Sequence, residues 1–442
     1  MPDRPIVVAG LGVHGRAVVA ALTARGLQAV AFDDRPTQDH EVFASNLGVR
    51  FLGAPDGSAL RELLAGASEV VPTPGLPERH PLFALAASLG VPVISELDLA
   101  ARWDQRPVVA ITGTNGKTTV TMMVTAILEA SGIAAAAVGN TELPLVAALD
   151  DAKTQLFVFE ASSFRLGHSQ HFAPAVGTWL NFAADHLDVH VSLDRYEEAK
   201  GRIWAQQGPA DVAIGVVTDP VVARHLLSAP GRRVEVGSLA GYHEANGQLW
   251  GDDGVALLAT KELTRSLPHD VLNALAAAAT ARASGGTLAA VRSVLTGWQH
   301  LPHRVQLVAE RDGVQFYDDS KATTPHAVIA AASGFSSIVL IAGGRNKGLD
   351  LGELAQAVTS IRAVVAIGEA AAEVEAAFAG LRPVVVANSM DEAVARAAGL
   401  AKRGDTVLLS PGTASFDWYR SYGERGDDFA RAVKQWLAEE SQ

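Results

Sequence analysis

Apolar residues in this chain gather into short runs, with alanine-rich stretches of helical length between them. The runs fall at 6–9, 29–32, 69–71, 91–94, 108–111, 154–160, 177–182, 212–216, 234–236, 315–317, 337–342, 363–367, 383–387 and 406–410. They are rich in Val, Ile and Leu and show little alternation, the pattern of parallel strands covered on both faces. Segments 16–25, 95–102, 119–130 and 274–283 have the length and composition of helices. Strand–helix alternation throughout predicts an α/β fold built from parallel sheets. The run at 91–94 is expected to close a small first sheet. A helix from 95 then leads onward, and His300-Leu301-Pro302 marks a later boundary. Three domains are therefore expected: 1–98, 99–302 and 303–442.

Composition agrees. The chain has 442 residues, room for about three domains at ~150 residues each. A hydrophobic fraction of 48% indicates large buried cores. The net charge of −12 argues against nucleic acid or an anionic membrane as partner. Without cysteine there is no disulfide, thiolate nucleophile or Cys-ligated metal. The start shows no signal-peptide pattern, and no apolar stretch reaches membrane-spanning length free of charge or glycine. A cytoplasmic protein is expected.

Chemistry concentrates where strands end. After the run at 108–111 come Gly113, Thr114, Asn115, Gly116, Lys117, Thr118 and Thr119, then a helix. Glycines let backbone N–H groups approach an anion, the lysine reaches terminal phosphates, and Thr118 offers a hydroxyl to Mg²⁺. The helix start adds its own positive end. A full G-x-x-x-x-G-K-[ST] pattern would need glycine at Ile111, so this is a shortened phosphate loop. It marks the central domain as a nucleoside-triphosphate site.

The first domain carries a second glycine loop. Gly10, Gly12 and Gly15 form G-x-G-x-x-G after a strand, and Asp33 and Asp34 end the next strand. This Rossmann-like pattern serves a nicotinamide dinucleotide or another diphosphate such as a UDP-sugar. About a hundred residues is short for a full dinucleotide module, which favours a mononucleotide-type ligand. In the central domain Glu160 ends a strand, where phosphate-loop enzymes hold Mg²⁺. Asp185, His186, Asp188 and His190 follow another strand, as either a metal cluster or helix caps. Lys200 lies on a helix, where a solvated lysine is the ordinary expectation, and Asn273 lies near a helix start, where it could cap or read adenine. The third domain reads as another doubly wound, Rossmann-like parallel sheet without a phosphate loop. Its loops at 318–325, 343–348 and 411–417 all follow strands, and ligands held between domains are expected.

Together, the phosphate loop, Glu160 with Ser162 and Ser163, residues 181–186, Asp319-Ser320-Lys321-Ala322-Thr323 and residues 410–429 resemble the Mur ligases. The resemblance covers essentially the whole chain. The ending 410–417 with 424–429 resembles members that join glutamate to UDP-N-acetylmuramoyl-L-alanine. It implies UDP-sugar binding in the first domain, resolving the ambiguity above. It also implies ATP-dependent amide synthesis in peptidoglycan precursor formation through an acyl phosphate, by a monomer using two Mg²⁺ ions.

Thr118 and Glu160 would hold one ion, and His186 and Lys200 would lie at the other. Lys200 matches a lysine that is carbamylated in the family. Asn273, Arg304 and Asp319 would meet adenine, phosphate and ribose, and Lys321 would reach the phosphates and acyl centre. Val13, His14, Asp34, Arg35, Thr73, Gly75, Asn140, Ser162 and His186 would meet the UDP-sugar substrate. Thr323, Lys347, Ser415 and Tyr422 would bind the incoming glutamate.

Three positions differ from the family pattern: Asp270 stands where an amide is usual, Val189 where arginine is frequent, and Tyr422 brings a hydroxyl to an often aromatic position. The handedness of the glutamate is not written in the sequence, and D-glutamate is the expectation. A nicotinamide oxidoreductase would leave the phosphate loop unexplained. A nucleotide switch would not need the third-domain loops.

Overall fold

The structure is a computed structural model that describes residues 4–139 and 143–439. By internal contacts the chain falls into two compact units. One comprises residues up to 182, 188–262 and 272–297; the other comprises 183–187, 263–271 and 298 onward.

The first unit holds two parallel sheets. Strands β1 (Ile6–Ala9), β2 (Ala29–Asp33), β3 (Arg50–Gly53) and β4 (Glu69–Pro72) pair in the order β3-β2-β1-β4. Residues 91–94 were expected to be a further strand but make only a bridge, Val70 to Val93. Pro92 has no N–H to continue a ladder. Ser95 then caps the helix Glu96–Trp103 in a reciprocal capping box with Asp98.

The second sheet contains β5 (Val108–Thr112), β6 (Ala135–Gly139), β7 (Leu156–Glu160), β8 (Val176–Trp179), β9 (Val212–Val216) and β10 (Arg232–Val236). Their order is β10-β9-β8-β5-β7-β6, all parallel. The central position of β5 explains its unbroken apolar run: Val109, Ala110 and Ile111 are fully buried. A three-stranded antiparallel sheet, β11 (His243–Ala245), β12 (Gln248–Trp250) and β13 (Ala256–Ala259), was not foreseen. Its strands are only three or four residues long, too short to stand out from loops.

The second unit contains β14 (Gln306–Arg311), β15 (Val314–Asp318), β16 (Ile338–Gly343), β17 (Ile361–Ile367), β18 (Val384–Ala387) and β19 (Thr406–Leu409). They pair in the order β14-β15-β19-β16-β17-β18. The expected all-parallel sheet is in fact mixed, because β14 runs antiparallel to β15. Four of the six residues in β14 are charged or polar or lie exposed at the edge, which hid it from a search for apolar runs. Both faces of this sheet are covered, by separate apolar clusters centred on Leu340 and on Ile341. Among the described residues no helix is long and apolar enough to cross a membrane.

Candidate active site

In the first unit, β5 ends at Thr112 and the chain turns through Gly113 and Gly116 into the helix Lys117–Ala130. Gly116 has φ +83°, and a Cβ there would lie 2.7 Å from Asn273 Oδ1. Both backbone and space therefore require glycine. Asn181 braces the loop: its Oδ1 accepts from the N–H groups of Thr114 (3.1 Å) and Asn115 (2.8 Å), and its Nδ2 donates to the Asn115 carbonyl (3.1 Å). Lys117 Nζ donates to the carbonyls of Gly113 (2.8 Å) and Thr114 (2.9 Å). Lys200, only 1% exposed, donates from Nζ to the Gly113 carbonyl at 2.7 Å. A buried lysine aimed at the loop is the opposite of the solvated residue that helix position alone would suggest. Thr119 is buried in the first turn of the helix, while Thr118 is half-buried.

Glu160 ends β7, whose register sets it beside Ile111 of β5. Its carboxylate is 2% exposed. Glu160 and the Thr118 hydroxyl are hard oxygen donors near a helix N-terminus. They fit a divalent cation that keeps most of its waters, and the glycine cradle with Lys117 fits a polyphosphate. Among the described residues no cluster of three or more His, Asp or Glu forms a ready-made metal cage.

The first-domain glycine loop is braced in the same manner. A Cβ at Gly10 would lie 2.2 Å from Thr73 Oγ1 and one at Gly15 1.9 Å from the Gly10 carbonyl, whereas Gly12 faces open space. Two of these glycines thus serve packing, and Gly12 leaves room for a ligand. Asp33 accepts from the N–H groups of Leu11 and Arg35, both at 2.8 Å. Asp34 instead pairs with His80 at 3.1 Å. Thr73 Oγ1 donates to the Ala9 carbonyl at 2.9 Å. Val13 is 65% exposed, and Arg35 and Gly75 also face solvent. Asn140 lies outside the described residues.

His14 was proposed for this loop, and the structure gives it a partner that the sequence did not signal. Arg165, between Phe164 and Leu166, is buried and reaches both His14 and Glu96. Its Nε lies 2.9 Å from Glu96 Oε1. Burial and the nearby Arg165 guanidinium lower the His14 pKa to about 4, so its ring is neutral at pH 7. Ser162 is buried at the start of the helix Ser163–Leu166.

In the second unit, Asp319 is buried, accepting from Ser410 Oγ at 2.8 Å and from the Val305 N–H at 3.2 Å. Burial pushes its pKa up to about 7 against the pull of Ser410 and Arg304. Lys321 Nζ lies 3.7 Å from the centroid of the Tyr422 ring. Ser320 Oγ donates to the Tyr422 carbonyl at 2.7 Å, and Arg425 ties Ser320 to the Thr413 carbonyl. Lys347 Nζ lies 5.5 Å from the Phe416 ring centroid. Ser415 is buried, Thr323 half-buried and Tyr422 exposed. Lys321, Tyr422 and the loop holding Thr413 and Ser415 are thereby gathered around Ser320 and Arg425.

Asp270 is committed elsewhere: both its oxygens accept from Arg265, at 2.6 and 2.7 Å, and Arg265 also donates to the Arg304 carbonyl. His186 has φ +55° and sits 3.3 Å from the Asp185 carboxylate.

A phosphate loop in a parallel sheet, a glycine-loop domain before it and a doubly wound domain after it define a three-domain nucleotide-dependent enzyme. Family profiles match in the same order: "Mur ligase MurD-like, N-terminal domain" at 4–95, "Mur ligase middle domain" at 111–281 and "Mur ligase, glutamate ligase domain" at 303–412. A UDP-N-acetylmuramoylalanine–D-glutamate ligase of Frankia casuarinae is 42% identical over 447 residues, covering 97% of this chain and 94% of its own. One from Desulfosudis oleivorans is 39% identical, covering 98% of this chain and 96% of its own. A pseudomurein peptide ligase type C from Methanothermus fervidus superposes with a TM-score of 0.60 at 18% identity, over 98% of this chain and all of that one, a likeness of fold. The chain belongs to the Mur ligase family.

Proposed function

We infer that this protein is an ATP-dependent ligase that joins D-glutamate to UDP-N-acetylmuramoyl-L-alanine in peptidoglycan precursor synthesis. The observation that carries this is near-complete coverage by relatives of that name, C-terminal domain included. The reaction needs ATP because a carboxylate is a poor electrophile. The alanyl carboxylate attacks the γ-phosphorus, ADP leaves, and an acyl phosphate forms. The glutamate amine attacks the acyl carbon, loses a proton, and inorganic phosphate departs with its bonding electrons.

In this reading Lys117 and the loop N–H groups carry the charge that moves during phosphoryl transfer. A divalent cation, when bound through Thr118 and Glu160, neutralises phosphate charge. Lys200 reacts as a neutral amine with CO₂, releasing a proton and gaining a carbamate whose oxygens suit a second ion. The role of His186 rests on the resemblance alone. Gly12, His14 and the turn at Thr73–Gly75 face the UDP-sugar. Asn273, Arg304 and Asp319 serve the nucleoside, and Lys321 the acyl centre. Thr323, Lys347, Ser415 and Tyr422 serve glutamate. A monomer is the state the resemblance implies, and soluble nucleotide substrates suit the cytoplasm.

The test is phosphate release from ATP with purified protein. Release should require both UDP-N-acetylmuramoyl-L-alanine and D-glutamate, with L-glutamate inactive. Release that ignores either substrate would overturn the assignment.

A further inference from the structure

A buried chain of side chains in the first unit has no part in the chemistry above. Glu78, on the loop after β4, accepts from His190 Nδ1 at 2.9 Å. A carboxylate can only accept, so Nδ1 carries the proton, and in the neutral ring Nε2 accepts from Ser163 Oγ at 2.9 Å. His190 and Ser163 are 3% and 2% exposed. Backbone bonds zip the same segments together: Glu78 N–H donates to the Val189 carbonyl at 2.9 Å, and Val191 N–H to Glu78 Oε2 at 3.0 Å. Arg79 adds a bond to the Asp188 carbonyl. Burial opposes the charge on Glu78, yet its hydrogen bonds from Val191 and His190 hold its carboxyl below the usual range, so it remains a carboxylate.

Serine, histidine and acid in this order resemble a nucleophilic triad, but the adjoining void is only about 10 Å³, room for about one water molecule. No electrophile fits there, so the arrangement is mechanical. Its far end shows what it holds. The His190 ring lies 5.2 Å from the Tyr196 ring, and Tyr196 OH is 3.3 Å from Thr114 Oγ1 of the phosphate loop. Lys200 Nζ lies 4.6 Å from the same Tyr196 ring. A continuous packed path thus runs from the loop bearing Thr73 and Gly75 to the phosphate loop.

We propose that Glu78, His190 and Tyr196 form a positioning relay that couples occupancy of the UDP-sugar loop to the geometry of the phosphate loop. The coupling rests on the ligase reading; the physical path does not. Binding at the first loop stiffens the turn that carries Glu78. The zipped segment then holds Tyr196, and with it Thr114 and Lys200, in the arrangement that receives ATP.

The test uses wild type, Glu78→Gln and His190→Phe, the latter keeping the ring stacks while losing both hydrogen bonds. Calorimetry measures a non-hydrolysable ATP analogue with and without UDP-N-acetylmuramoyl-L-alanine. Wild type should show mutual enhancement of about tenfold, and each variant about twofold or less. The double variant should be no worse than either single one, as expected when one chain of contacts is cut twice. A merely structural role would lower melting temperature and leave the enhancement intact, and that result overturns the proposal, as does absence of enhancement in wild type that binds both ligands. If wild type binds no UDP-sugar, the ligase reading fails instead. The analogue alone then decides: the variants should bind it about threefold or more weakly, and unchanged affinity overturns the relay. If His190→Phe does not fold, Glu78→Gln carries the same comparison.

Discussion

Lys200 Nζ donates to the carbonyl of Gly113 at 2.7 Å, although the two residues lie 87 positions apart. A lysine from the middle of one helix therefore closes on the loop that starts another. The same loop carbonyl receives Lys117, so two lysine Nζ groups meet at one backbone oxygen.

Lys200→Ala should lower turnover by at least ~10²-fold, the scale for losing an electrostatic group from a transition state. Formate or acetate should restore part of it by supplying carboxylate oxygens where the carbamate would lie. Full activity of the variant in bicarbonate-free buffer would remove the carbamate from the mechanism. A defect that small acids leave unchanged would assign Lys200 to holding the loop.

Lys117→Ala should abolish phosphate release, by ~10³-fold or more, because it removes charge from the phosphoryl group in flight. UDP-sugar affinity by calorimetry should stay within a few-fold of wild type, since Lys117 follows β5 and the other glycine loop follows β1. A large loss of that affinity would mean that both loops serve one ligand.

Gly116→Ala should raise the KM for ATP about tenfold or more. The left-handed backbone alone costs on the order of 1–2 kcal/mol for a residue with Cβ. The added methyl would also press within 2.7 Å of Asn273 Oδ1. Steady-state kinetics at saturating D-glutamate isolates the effect, and an unchanged KM would show that the loop relaxes freely.

Stability should fall as the solution is acidified, through a site outside the chemistry. His168 stacks on Phe83 at 5.0 Å, and burial lowers its pKa to about 4. Its unfolded value lies near 6.5, so the unfolded chain binds the extra proton first. The stabilisation is complete above about pH 6.5 and is lost as pH falls towards about 4. Relative to His168→Phe, wild type should lose up to about 3 kcal/mol across that window, at ~1.4 kcal/mol per pKa unit. Parallel urea titrations of the two proteins would give this difference. Curves that stay parallel would show that His168 is not protonated differently on unfolding.

The sequence determined the strands that are buried on both faces, because such strands must be apolar throughout. It also determined the two glycine loops, since only glycine tolerates those backbone angles and close approaches. The glycines at 10, 15 and 116 were legible for that reason, as were Lys117 and Glu160, which sit at fixed distances from strand ends. Where the chemistry was carried by one residue type in one register, local pattern sufficed.

Tertiary structure decided what depends on partners distant in sequence. Burial of Lys200 against Gly113 follows from packing of its helix on strands β8 and β5, and helix position alone favours solvent. Arg165 beside Glu96 and His14 reads locally as a polar interruption, and only the fold joins it to residues 69 and 151 positions away. Asp270 reads only as a departure from an expected amide, and the fold alone shows that Arg265 takes both its oxygens. The edge strand β14 has no buried apolar run because it is covered on one side only, so its pairing was invisible before the sheet existed. Glu78 draws no notice in the sequence, His190 reads there as a metal or capping candidate, and Ser163 only as part of the resemblance; their joint meaning arises from a geometry to which two loops and the start of a short helix contribute. Backbone conformation and the burial of apolar runs are written locally; the burial and pairing of polar groups are settled by which segments the folded chain brings together.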